Sequence, residues 1–186
     1  MGDRLMSTLE VNSIDKESGS TLTLGTSGTT VDIPSGATLD VTGATVSGLS
    51  AGKVLQVVQG TYATQASTTG TTYVTTNLSA SITPSSTSNK VLVTGLVNSV
   101  YSTHSGGLAG AYIAIYRGGS AIVAPAAWQY NAGNSIATTM PFNYLDSPSS
   151  TSSVTYEIYF KKHTGTTTYV QDSGNPSYIT LMEIEA

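Results

Sequence analysis

Side chains able to do chemistry are few in this chain of 186 residues, and their spacing matches no catalytic pattern. The two histidines, His104 and His163, stand alone in polar stretches. Neither belongs to an H-x-H or H-E-x-x-H arrangement, the spacings that aim two imidazoles at one metal ion. Cysteine is absent, which removes thiolate nucleophiles, disulfide staples and soft metal ligands together. Asp146 and Asp172 are of the right type for a glycan-cleaving carboxylate pair, but nothing in the sequence draws them to one place. Gly52-Lys53 ends as a phosphate-binding loop ends. Val54 nevertheless stands where Ser or Thr must reach the metal, and the upstream glycine spacing fails. Asn77-Leu78-Ser79 fits the glycosylation acceptor pattern, which matters only in an exported chain. The chain therefore reads as a non-enzyme with no catalytic residue, no metal site and no cofactor.

The chemistry left is recognition. Tyr101 and His104 precede Gly106-Gly107; Trp128, Tyr130 and Asn131 lie in a stretch rich in Ala, Gly and Asn; Tyr169 and Asp172 border another loop region. Aromatic faces beside amide and hydroxyl groups are suited to gripping sugar rings or polar protein patches. These seven residues are the candidate binding residues, and Trp128 equally fits a buried place in the core or on an oligomer axis. Eleven Tyr against two Phe and one Trp mean that most rings carry a hydroxyl and tolerate a half-wet surface.

The segment that must hold these residues, 52–186, reads as strands separated by Gly, Ser and Asn turns. Candidate strands are 53–59, 72–82, 90–101, 111–117, 121–124, 136–144, 154–162, 167–171 and 178–184. Val154, Tyr156, Ile158 and Phe160 alternate with Thr155, Glu157, Tyr159 and Lys161, the period-two signature of a half-buried strand. Gly118-Gly119 predicts a tight hairpin turn, and the Ser-Pro and Thr-Pro stretches at 83–86 and 147–150 predict open loops. No segment shows a helical stripe. The expectation is a jelly-roll-like antiparallel β-sandwich head.

Ahead of it, residues 19–51 repeat one phrase. Gly19-Ser20-Thr21-Leu22, Gly28-Thr29-Thr30-Val31, Gly36-Ala37-Thr38-Leu39 and Gly43-Ala44-Thr45-Val46 share Gly, small, Thr, aliphatic. The aliphatic residues Leu22 and Leu24, Val31 and Ile33, Leu39 and Val41, then Val46 and Leu49, recur at one phase, which a plain Ser/Thr/Gly linker does not require. Strands this short expose a thin apolar edge with no second layer, so alone they bury too little to offset their ordering entropy. Three copies wound together solve that, and the segment is expected to form a short trimeric β-repeat shaft. Fully extended it spans on the order of 100 Å, a stub rather than a long fibre.

Charge divides the chain unevenly. Residues 1–50 hold Arg4 and Lys16 against six acids, whereas the rest holds five basic and five acidic side chains, so the net charge of −4 lies wholly in the first part. Only 10% of residues are charged, against roughly 25% in an average soluble protein. A neutral, charge-poor head is a poor partner for nucleic acid or an anionic membrane, and neither is expected to bind. No run approaches the ~18 apolar residues of a membrane helix, and no apolar h-region follows a basic start. Residues 1–18 fit either a disordered leader or a docking peg; Leu9, Val11 and Ile14 are the residues a peg would insert into a partner.

The segment Met6-Ser7-Thr8-Leu9-Glu10-Val11-Asn12-Ser13-Ile14 and the Gly-small-Thr-aliphatic repeats together resemble tail-fibre-like proteins of tailed bacteriophages, especially cyanophage and marine phage types. So do the head's opening, Gly52-Lys53-Val54-Leu55-Gln56-Val57-Val58-Gln59, and its close, Ile179-Thr180-Leu181-Met182-Glu183-Ile184. The resemblance implies a homotrimer with a virion-bound N-terminus and a β-sandwich head. Two roles are then expected: a short tail fibre whose head recognises a host surface glycan or protein, or a trimeric capsid decoration protein that stabilises the phage head. In both, residues 1–18 dock on a tail, baseplate or capsid protein, and the chain is a virion component assembled in the host cytoplasm and released by lysis.

Overall fold

A strand that alternates apolar and polar residues buries one face and wets the other, and this pattern shapes the head. The computed structural model describes residues 35–38, 53–104, 107–132 and 137–186. Its strands are β1 (Val54–Tyr62), β2 (Ala66–Thr68), β3 (Val74–Ile82), β4 (Lys90–Ser102), β5 (Leu108–Arg117), β6 (Ser120–Ala132), β7 (Thr138–Asp146), β8 (Val154–Thr164), β9 (Thr168–Val170) and β10 (Ser177–Ile184). A 3-10 turn at Asp172–Gly174 separates the last two. The chain divides into two units, 1–46 and 47–186, and the second holds every strand named here.

Two antiparallel sheets form a β-sandwich. In the first, β1 pairs with β10, β10 with β4, and β4 with β7. The short β2–β9 pair continues the β1–β10 ladder: Tyr62 faces Ser177, and past a loop on each side Ala66 faces Val170. The sheet thus has four lines of strand. The second sheet runs β3-β8-β5-β6. Val91, Val93, Val97, Phe142, Ile179 and Leu181 from the first sheet meet Leu78, Ile82, Ile113, Ile115, Ile158 and Phe160 from the second. Removing each such side chain from water contributes about 2 kcal/mol. The edge strands also lie near each other, β1 beside β3 and β6 beside β7, which shields the sheet edges.

Two polar clusters tie one end of the sandwich, where Glu183 and Asp146 flank Val91 of β4. Glu183 is buried on the inner side of β10, where its carboxylate accepts from Gln56 Nε2 (2.6 Å), Ser85 N (2.6 Å), Ser85 Oγ (2.7 Å) and Asn89 Nδ2 (2.6 Å). It fastens β1 and the β3–β4 loop to the last strand. Asp146, buried at the end of β7, accepts from Arg117 Nη1 (2.6 Å) and Tyr156 Oη (2.7 Å). Burial, then the hydrogen bond and charge of Asp146, push the Tyr156 phenol well above its ordinary value. Since β7 belongs to one sheet and β5 and β8 to the other, the cluster links the two.

The strands lie close to where the sequence places them. β2 is too short for a periodicity to register. The larger difference is β6, expected only over 121–124 but continuing through Pro125 to Ala132. It pairs with β5 alone, and a bulge opposite Ala114 takes up Pro125, so the missing N–H leaves no ladder position unfilled. Gly118 and Gly119 form the expected hairpin turn with φ of 54° and 80°, the left-handed conformation a two-residue hairpin loop demands. Of the repeats only Ser35 to Thr38 are described, an exposed turn with Gly36 at φ 88°. Leu22, Leu24, Val31, Ile33, Leu39, Val41, Val46 and Leu49 of the expected shaft, and Leu9, Val11 and Ile14 of the expected docking segment, lie outside the described residues.

Candidate recognition surface

Because the two sheets cover each other's inner sides, each retains an outer face, and the two outer faces differ in chemistry. On the second sheet, period-two alternation sends Tyr112 and Tyr116 of β5, Tyr159, Lys161 and His163 of β8, and Trp128 and Tyr130 of β6 outward together. The rings touch in sequence across the strands. Tyr116 stacks on Tyr159 at 3.9 Å between centroids, with Tyr73 edge-on to Tyr116 at 6.2 Å. Tyr112 lies 4.6 Å from His163, His163 lies 5.8 Å from Tyr130, and Tyr130 lies 6.4 Å from Trp128. Lys161 Nζ joins the two groups, 4.5 Å from the Tyr73 centroid and 5.4 Å from that of Tyr112. Such cation–π contacts hold the ammonium in place at modest desolvation cost.

The rings also make a local roof. Ala114, on the outward side of β5 between Tyr112 and Tyr116, is fully buried. Crowding shows in the phenols: burial first, then the neighbouring Tyr116 and Tyr112, raises the Tyr73 pKa. For Tyr159 the causes are burial, then Glu157 and Tyr116. At the β6 edge the surface opens, with Trp128 62% and Tyr130 44% exposed. Trp128 therefore fills no part of the sandwich core.

The first sheet's outer face carries one aliphatic row among polar and mixed ones. Val57, Met182, Leu92 and Leu145 sit side by side on four successive strands, forming one continuous row. Gln59, Thr180, Thr94 and Asn143 form the next row, and Thr61, Tyr178, Leu96 and Pro141 the one after. Val57 at 57% and Leu145 at 48% exposure are large apolar groups left in water.

The seven candidate residues from the sequence fall on different parts of this frame. Trp128 and Tyr130 are on the second sheet's outer face. Asn131 is half-buried on β6, and its Nδ2 has no hydrogen-bond partner among the described residues. Tyr101 and Tyr169 face each other across β4 and β9, rings 5.9 Å apart, on the outer side of the first sheet. Asp172 accepts from Gln65 in the turn after β9, and His104 Nδ1 accepts from Gly107 N. The structure thus brings Trp128 to Tyr130 and Tyr101 to Tyr169, but not the two pairs together. Nor does it join Asp146 to Asp172. Asp146 lies opposite Val91 near the start of β4, whereas Asp172 follows Gln171, whose N–H reaches Asn98 far along that strand.

Tyr73, Tyr112, Tyr116, Tyr159, Lys161 and His163 were not among the candidates. The signal for some of them was present, since Tyr159 and Lys161 occupy the outward phase of β8 and Tyr112 and Tyr116 share a phase on β5. Among the described residues, no cluster of three or more metal-ligating side chains occurs, and no helix is long and apolar enough to cross a membrane.

No family model and no curated protein matches the chain. Among solved structures it is similar to the VP2 subviral particle of infectious bursal disease virus, with 21% identity and a TM-score of 0.37 over 71% of this chain and 33% of that one. It is likewise similar to the viral particle of the same virus, with 20% identity and a TM-score of 0.37 over 72% and 36%. The chain spans about a third of the length of those proteins.

Proposed function

We propose that the chain is a virion structural protein of a tailed bacteriophage, a short trimeric tail fibre whose head recognises a receptor on the host surface. The observation that carries this is the opposition of the two outer faces: an exposed aliphatic row on one sheet, aromatic rings with polar rims on the other. A charge-poor protein that leaves both uncovered has surface to spend on two partners. The aliphatic face fits second copies of this chain, since neutral apolar surfaces associate without charge repulsion, and β1 opens directly after the repeats read as a trimeric shaft. The aromatic face is then free for the receptor. The strand order, β1-β10-β4-β7 over β3-β8-β5-β6, supports a jelly-roll head, because every sheet neighbour except β5–β6 is distant in sequence, as in nested Greek keys. Residues 1–18 supply the docking segment for a tail or baseplate protein, and the protein resides in the virion, released from the host by lysis.

The brevity of residues 19–51 favours a second reading, a trimeric capsid decoration protein docked on the shell. Copy number separates the two. Quantitative mass spectrometry of purified particles is expected to give a handful of trimers per virion, in step with tail symmetry, and labelling is expected at the tail. A count in proportion to the capsid lattice, with label over the shell, would replace the fibre by the decoration protein.

A further inference from the structure

We propose that the aromatic face of the second sheet binds a glycan chain several sugar rings long, with one ring seated in the corner between Trp128 and Tyr130. The proposal rests on the receptor-recognition reading and names both the receptor's chemistry and which of the two aromatic sites takes it. A pyranose ring has an apolar C–H face and a rim of hydroxyls. It is matched by an aromatic face whose edges carry hydrogen-bonding groups. Trp128 and Tyr130 provide that match: their rings meet at 58° and 6.4 Å, an open corner on the exposed outer side of β6. The track continues inward through His163 and Tyr112 to the Lys161 ammonium, so hydroxyl, imidazole and ammonium groups follow one another along its length. A track that crosses strands β6, β5 and β8 is longer than one sugar, and it suits an oligomer.

The alternative occupant, an apolar protein surface, fits this face poorly. Between the rings the outward positions carry Ala114, Ala121, Ser79, Ser81 and Glu157, and large aliphatic bulk enters only at the margin, where Leu108 lies beside the Gly110–Tyr130 pair. Aliphatic bulk is instead collected on the other sheet, in the row from Val57 to Leu145. The Tyr116–Tyr159 stack and the roof over Ala114 hold the rings in position before any ligand arrives. Less ordering entropy is then lost on binding. The Tyr101–Tyr169 pair lacks such an extended neighbourhood.

Trp128 is the chain's one tryptophan, so its fluorescence reports this corner alone. The whole chain is titrated with purified bacterial O-antigen polysaccharides and their one-, two- and four-sugar fragments, and its adhesion to host cells is measured after periodate or protease treatment of the cells. Expected are a blue shift of Trp128 emission, affinity that rises with fragment length, and adhesion lost on periodate oxidation. Trp128→Ala and Tyr130→Ala, both exposed and outside the core, are each expected to weaken adhesion about tenfold. Adhesion that is lost to protease and kept after periodate overturns the glycan assignment while leaving host recognition standing. Loss of adhesion by Tyr101→Ala with Trp128→Ala adhering as wild type overturns the site. If the chain adheres to no cell and binds capsids instead, both the glycan proposal and the receptor reading fall.

Discussion

Glu183 shows how one side chain can be legible by type and illegible by role. Burial alone raises a carboxyl group's pKa, but the donors from Gln56, Asn89 and Ser85 outweigh it and hold Glu183 down from 4.5 to about 2. A depressed carboxylate stabilises the fold fully above its unfolded value, and this contribution is lost as pH falls from 4.5 through 2. Glu183→Gln is therefore expected to cost about 2 kcal/mol at neutral pH, because it replaces one of the two accepting oxygens by an NH2 group that faces donors and removes the charge from the rest. The gap in melting temperature between wild type and variant should narrow on titration from pH 4.5 to 2. A gap that stays constant across that window would mean that Glu183 does not titrate as argued. In the sequence, Glu183 looks like one polar residue on an alternating strand; its partners lie some hundred positions away, where no local pattern points.

At the scale of elements, most strands were readable because each buries one face. β8 shows this most cleanly, with Tyr156, Ile158 and Phe160 inward and Glu157, Tyr159 and Lys161 outward. β6 was not readable, because proline usually ends a strand and only the strand's position at the sheet edge excuses Pro125. That misreading put Trp128 and Tyr130 on a loop, whereas their place on a strand is what aligns them with Tyr112 and His163. The close approach of strands sets a second, testable demand at Gly95 in the middle of β4. A Cβ there would lie 2.1 Å from Tyr178 O and 2.8 Å from Phe142 Cζ, and Phe142 lies across the bare glycine from β7. Gly95→Ala is expected to cost about 3 kcal/mol, the top of the usual range for an overfilled core. Denaturant unfolding measures it, and a variant as stable as wild type would show that β4 and β10 are less tightly apposed than described.

For the whole molecule, the β class followed from period-two patterning, turn residues and the lack of a helical stripe. Which strand lies beside which did not follow, because pairings such as β1 with β10 join the two ends of the head and depend on no local signal. The aromatic and aliphatic outer faces were hidden for the same reason: each gathers residues from separate strands, so neither exists until the sheets are assembled. Their division of labour is the centre of the functional account, and the role given to the aliphatic row needs more than one chain. Light scattering on the intact chain at micromolar concentration tests this most directly. The account predicts a particle of about three times the 19.1 kDa chain mass, and a particle of 19.1 kDa would contradict it.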